Sequence, residues 1–216
     1  MTSPTPPAEP VYADRTFRSP AGMVGGGLLL LLICWIAGDA VFRGDGRVPW
    51  LALAGVLTAV PMVVAFTLRP VVLANEQRIR IRNPFRTISM PWTEVSDLRA
   101  GYSCELFTEG GAKYQLWAVP VSLRQRKKAA RQQSRRSLDD PYDRTSVHAD
   151  VRDTKARMAT ADQTMADLRE LAERAKTGGP AAGESAESSV SVRWAFEVIA
   201  PTVVGALLLV VLLATG

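Results

Sequence analysis

Three apolar stretches, Ala21 to Phe42, Trp50 to Leu68 and Ala195 to Ala214, limit what this chain can become. Each is close to the roughly 20 residues that an α-helix needs to cross the hydrocarbon core of a bilayer. Backbone polar groups in lipid have no water to bond, so such a stretch satisfies them internally as a helix. The reading is an integral, multi-pass membrane protein with a modest water-soluble part. Of the 216 residues 47% are hydrophobic, an ordinary fraction, but much of it is concentrated in these three blocks.

Residues 1–20 are rich in Pro, Ser and Thr, lack any hydrophobic period and are expected to be a disordered tail. The block after Arg15 and Arg18 is longer than a secretory signal core, and a second block follows closely, which argues for a retained helix. Residues 21–42 and 50–68 are expected to form a transmembrane hairpin, because Arg43 to Pro49 is too brief for a domain. Gly22 and Gly26 have the spacing that lets two helices approach closely and are candidate helix-packing positions. Asp39 sits at an end of its block, where it can reach the interface. Trp50 suits an interfacial anchor, Pro61 is placed to kink the second block, and Arg69-Pro70 ends it.

Charge sets the expected orientation. The chain carries a net charge of +5, and residues 69–193 hold 22 Lys and Arg against 16 Asp and Glu, so the whole excess lies there. The hairpin loop has only Arg43 and Arg47, with Asp45 between them. The positive-inside tendency therefore puts the tail and the soluble region in the cytoplasm of a plasma (inner) membrane protein, facing anionic headgroups. Cys34 falls in the first block and Cys104 in a predicted strand, so the membrane boundary is expected to separate them. Both read as small buried hydrophobes rather than a disulfide or metal pair.

Residues 69–120 are the only stretch with the pattern of a folded soluble module. Arg78-Ile79-Arg80-Ile81-Arg82 alternates with period 2, as a half-buried strand does. Asn83-Pro84-Phe85-Arg86 supplies a turn, Thr87 to Met90 alternates again, and Pro91-Trp92 leads on to Glu94-Val95. Cys104 to Thr108 runs into Glu109-Gly110-Gly111, a hairpin turn, and Lys113 to Trp117 returns. Five or six short strands in about fifty residues make a meander too small for an ordinary enzyme.

These residues carry a resemblance. The runs RIRIRNPFRTISMPWTEV and ELFTEGGAKYQLWAVP resemble the bacterial pleckstrin-homology-like (PH-like) domains of small actinobacterial membrane proteins, a family described from a low-molecular-weight protein antigen. The matching features are Arg82-Asn83-Pro84, Pro91-Trp92, Glu94-Val95 and Leu116-Trp117, about a quarter of the chain. The resemblance implies an α+β fold, a partly open, bent antiparallel sheet closed by a C-terminal helix, here joined to three transmembrane helices. It also implies binding rather than chemistry.

Residues 121–152 form a basic and polar insertion. Arg124, Arg126, Lys127, Lys128, Arg131, Arg135 and Arg136 follow one another with no acidic residue between. The run suits a solvated face or attraction to anionic lipid; nucleic acid is disfavoured, because aromatic stacking residues and a recognisable motif are lacking. His148, the only histidine, lacks Cys or His neighbours and is read as solvent-exposed. Residues 153–178 are expected to form an amphipathic helix, since Met158, Ala161, Met165, Leu168, Ala172 and Ala175 recur at spacings of three and four. It either closes the PH-like sheet or self-associates as a short coiled coil, and Gly178-Gly179-Pro180 stops it. Residues 179–193 read as a flexible linker into the third transmembrane helix, residues 194–214.

Enzymatic constellations are absent from the sequence pattern. It has no Gly-rich phosphate loop, no Cys/His metal spacing and no complete nucleophile triad, so no catalytic residue, metal or cofactor is assigned. Glu94 and Asp97 are read as surface carboxylates. In a strand Arg78, Arg80 and Arg82 point to one face, and near Arg86 they are candidate ligands for a headgroup phosphate. Eukaryotic PH domains that bind phosphoinositides use a lysine in the preceding loop, and Asn75-Glu76-Gln77 offers none. The expected function is a membrane-anchored, non-catalytic binding or scaffolding module for a membrane protein partner, with anionic lipid as a secondary contact. The alternative is an accessory subunit assembled through its transmembrane helices.

Overall fold

The computed structural model describes residues 15–122, 127, 160–177 and 190–215. Of the basic run only Lys127 falls among them, and it is exposed; His148 and the Gly178-Gly179-Pro180 stop lie outside the described residues.

Among the described residues three helices are long and apolar enough to cross a membrane. Helix α1 spans Pro20–Arg43, α2 spans Val48–Val63 and continues through a π-helical turn, Val64–Leu68. The last of them spans Phe196–Ala214. Ser19 caps α1, its Oγ accepting from the Gly22 N–H at 3.2 Å. Pro61 lies inside α2, and the π turn begins three residues later, closed by the Arg69 N–H donating to the Val64 carbonyl at 2.8 Å. Asp39 pairs with Arg43 one turn on, at the exposed end of α1.

The soluble part is built from two antiparallel sheets. The first holds β1 (Arg15–Phe17), β2 (Val71–Ala74), β3 (Arg78–Arg82), β4 (Arg86–Pro91) and β8 (Ser191–Trp194), in the order β1-β2-β3-β4-β8. The second holds β5 (Val95–Ala100), β6 (Cys104–Thr108) and β7 (Lys113–Gln115) in sequence order. Helix α3, Thr160–Thr177, closes the space between them; the final membrane helix is α4. The alternating runs behave as their period dictates: Ile79, Ile81, Ile88 and Met90 are buried to 0–1% exposure while the residues between them face out.

Trp92 anchors the core. It is 1% exposed, and its indole Nε1 donates to the Asn75 carbonyl at 2.7 Å. The Asn75 side chain in turn accepts from the N–H groups of Gln77 and Arg78, shaping the β2–β3 turn. On α3, Ala161, Met165, Leu168, Leu171 and Ala172 are buried in the same core. The helix thus spends its apolar stripe on sheet closure rather than on a coiled coil. It also covers the edge of β5: Arg169 donates through Nε and Nη2 to the Leu98 carbonyl, and Lys176 to the Val95 carbonyl.

Three sequence expectations are corrected. The stretch read as a disordered tail contributes β1, because Arg15 to Phe17 find open backbone partners along β2. The stretch read as a flexible linker ends in β8, which pairs with β4 from Ser89 to Arg86. Of the cysteines, Cys104 is buried in the core, but Cys34 is exposed on the surface of α1.

Candidate functional site

All three membrane helices leave from the first sheet. β1 feeds α1 after Arg18-Ser19, the π turn of α2 reaches β2 through Arg69-Pro70, and β8 enters α4 through Ala195 alone. Junctions of one or two residues leave almost no slack, so the sheet and helices share one orientation. Strand directions then assign depth. The Asn83–Phe85 turn between β3 and β4 lies at the helix-bearing end, where the Phe66 ring meets Phe85 at 5.4 Å and Trp117 at 5.5 Å. The Asn75–Gln77 turn lies at the opposite end.

Antiparallel partners share a face, so the register sorts the candidate arginines. Val71, Arg82, Thr87 and Arg193 form one row across the outer face, nearest the helices. Leu73, Arg80, Ser89 and Ser191 form the next. Arg78 pairs with Pro91 at the far end, about 13 Å from Arg82 along the strand at 3.3 Å per residue. Arg86 is separated from the other three: it shares the parity of the buried Ile88, and its guanidinium lies over the Tyr114 ring at 5.6 Å. The three arginines of β3 therefore share a face but not a depth.

Arg69 completes the membrane-proximal row. Its Nε donates to the Asn83 carbonyl at 3.2 Å, Nη2 to Thr87 Oγ1 at 3.3 Å and Nη1 to Glu197 Oε1 at 2.5 Å. Its side chain is 15% exposed, against 63% for Glu197. Asn83, 4% exposed, latches the two sheets: its amide donates to the Gln115 carbonyl at 2.9 Å, and its Oδ1 accepts from the Trp117 N–H at 3.4 Å. Sequence reading took Arg69 as a helix stop and Arg193 as linker. The period-2 run Ser191-Val192-Arg193-Trp194 was the available signal, but four residues after a Ser/Ala/Gly-rich stretch carry little weight alone.

The remaining candidates fall elsewhere. Gly26 is committed within the chain, since a Cβ there would stand 2.1 Å from Thr67 Oγ1 of the π turn; a Cβ on Gly22 would make ordinary contact with Ser19 and the Thr67 carbonyl. A glycine without a sequence signal makes the backbone approach between membrane helices: a Cβ on Gly205 of α4 would stand 2.7 Å from the Thr58 backbone nitrogen of α2. Glu94 and Asp97 do not act together. Asp97 accepts from the Arg99 Nε at 2.7 Å and from the Leu98 N–H at 2.7 Å. The Arg99 hydrogen bond, aided by the backbone bond, holds the Asp97 carboxyl below its ordinary value, the setting of a permanent carboxylate rather than a proton donor. Among the described residues no group of three His, Cys, Asp or Glu is placed to hold a metal.

Against this geometry, a family model described as bacterial PH domain matches residues 69–180, just over half of the chain. The match takes in β2 to β7 and α3 and leaves out β1, β8 and all three membrane helices. No curated protein and no solved structure matches the chain.

Proposed function

The chain belongs to the bacterial PH domain family, and from that premise we propose that it is a membrane-anchored, non-catalytic binding and scaffolding module. Its PH domain would lie on the cytoplasmic side of the plasma membrane, contacting a membrane protein partner, with anionic lipid headgroups as a second ligand. PH domains are generally non-catalytic, and the Arg99-bound Asp97 offers no acid for catalysis.

The observation that carries this reading is the short coupling of β1, β2 and β8 to the three membrane helices. A domain held this way cannot diffuse from the bilayer, so a weak contact with a neighbouring membrane protein gains from a high effective concentration. The cytoplasmic side is supported by the basic residues at the sheet end, Arg18, Arg69, Arg82 and Arg193, against Arg43, paired with Asp39, and Arg47 beside Asp45 at the other end. The reading as an accessory subunit assembled through Gly22 and Gly26 is weakened, because Gly26 is already filled by Thr67.

A photo-crosslinking residue placed at exposed sheet position Ser96, or on the lipid side of α4 at Val204, tests it in native membranes. Protein adducts at position 96 are expected. Adducts confined to position 204 would instead identify a helix-assembled subunit.

A further inference from the structure

We propose that the row Arg82, Thr87 and Arg193 is the seat for the phosphate of an anionic phospholipid headgroup, drawn from the leaflet next to the sheet. The inference rests on the lipid part of the function proposed above and gives that contact its residues.

Three strands supply the three side chains at matched register, on one face. With strands about 4.8 Å apart, the backbones of Arg82 and Arg193 are roughly 10 Å apart, with Thr87 midway, a gap that two arginine side chains can close on one anion from both sides. Both arginines are exposed, and among the described residues neither side chain is held by a hydrogen bond or a close ion pair, although Glu197 is near enough to Arg82 to feel its charge. Guanidinium groups bind phosphate oxygens in pairs of parallel hydrogen bonds. Thr87 Oγ1 accepts from Arg69 Nη2, which leaves its own O–H able to donate to an anion. Arg69 adds a fixed positive charge behind the row, and Glu197, which feels both Arg69 and Arg82, is hydrogen-bonded to Arg69.

Depth decides the occupant. Arg193 stands three residues before Phe196, where α4 begins, and Arg82 pairs with Val71, three residues after Leu68, where α2 ends. A row at that level meets headgroups of the host membrane before any soluble anion. Arg78 lies at the other end of the sheet and is assigned no part in the seat.

The test uses the full chain in nanodiscs of phosphatidylcholine alone or mixed with phosphatidylglycerol, with native mass spectrometry counting the lipid retained on release. Wild type is expected to retain phosphatidylglycerol preferentially, and adding inorganic phosphate is expected to leave that retention unchanged. Near a membrane surface each arginine contributes about 1 kcal/mol, so Arg82→Gln with Arg193→Gln should weaken retention roughly thirtyfold. The pair Arg82→Lys and Arg193→Lys should fall between, keeping charge but losing the paired hydrogen bonds. Arg78→Gln should match wild type. Equal retention of both lipids by wild type would defeat the lipid reading and this seat together. Preference that survives the double Gln variant but is lost on replacing Arg124 and Arg126 by Gln would defeat the seat alone. Displacement of the lipid by phosphate would make the row a soluble-anion site and overturn the proposal.

Discussion

Arg69 and Glu197, 128 positions apart, form an ion pair at 2.5 Å that ties the end of the second membrane helix to the start of the third. The same guanidinium holds the Asn83 carbonyl and the Thr87 hydroxyl, so one side chain joins two helices to the β3–β4 turn and β4. Replacing Arg69 by Ala strands three acceptors, one of them charged, and is expected to destabilise the folded chain in micelles by about 2–3 kcal/mol. Glu197→Gln keeps an acceptor on a largely exposed side chain and should cost about 1 kcal/mol or less. Denaturant unfolding of the two single variants and the double variant measures the coupling; strictly additive losses would mean the pair is incidental.

Helix packing gives a sharper contrast. A Cβ at Gly205 would run into the Thr58 backbone nitrogen at 2.7 Å and the Leu57 carbonyl carbon at 2.9 Å, and backbone cannot swing aside. Gly205→Ala should therefore push α4 from α2 and lower stability by roughly 1–3 kcal/mol. Gly25→Ala and Gly27→Ala meet nothing within 4 Å and serve as controls, expected to be neutral or slightly stabilising because alanine favours helix. Thermal unfolding in micelles separates the outcomes, and equal behaviour of Gly205 and Gly25 variants would contradict the packing.

The latch at Asn83 predicts a local effect. Asn83→Asp retains the shape and the acceptor for the Trp117 N–H but cannot donate to the Gln115 carbonyl, and it adds a buried charge. Amide hydrogen exchange at Trp117 and Leu116 should rise at least tenfold, while exchange in β3 at Ile81 changes little. Uniform acceleration through both sheets would show that Asn83 supports the whole fold rather than the join between its halves.

Acid stability follows from Asp97. The hydrogen bond from Arg99 depresses the folded carboxyl below its ordinary value, so the unfolded chain takes up the proton first as pH falls. The contribution is complete above the unfolded value near 4 and is lost as pH drops through the lower, folded value. The stability difference between wild type and Asp97→Asn should be flat above about pH 5 and shrink below about pH 4. A difference that grows on acidification would reverse the assignment.

Much of the fold was legible because its signals are local. The three spans announce themselves by length and hydropathy, the Arg78–Arg82 alternation by period 2, and the stripe Ala161, Met165, Leu168, Ala172 by its helical spacing. The basic face of β3 was legible for the same reason. The site was not: that Arg86 turns inward over Tyr114, that Arg78 sits far from the membrane and that Arg193 joins Arg82 all depend on register between strands.

By itself the sequence determined which segments are long and apolar enough to cross a membrane, which residues of the Arg78–Arg82 and Thr87–Met90 runs face the core, and that the soluble part is basic. Hydrophobic period and composition act residue by residue along the chain, and no partner is needed to read them. Only the tertiary structure decided that residues 15–17 and 191–194 extend the sheet, that Gly205 rather than Gly22 makes the tightest backbone approach between helices, and that Arg69 holds Glu197. Those are pairings between segments as distant in the chain as Thr58 and Gly205. Their free energy comes from backbone donors, close-packed surfaces and charges that exist as partners only once the chain has folded.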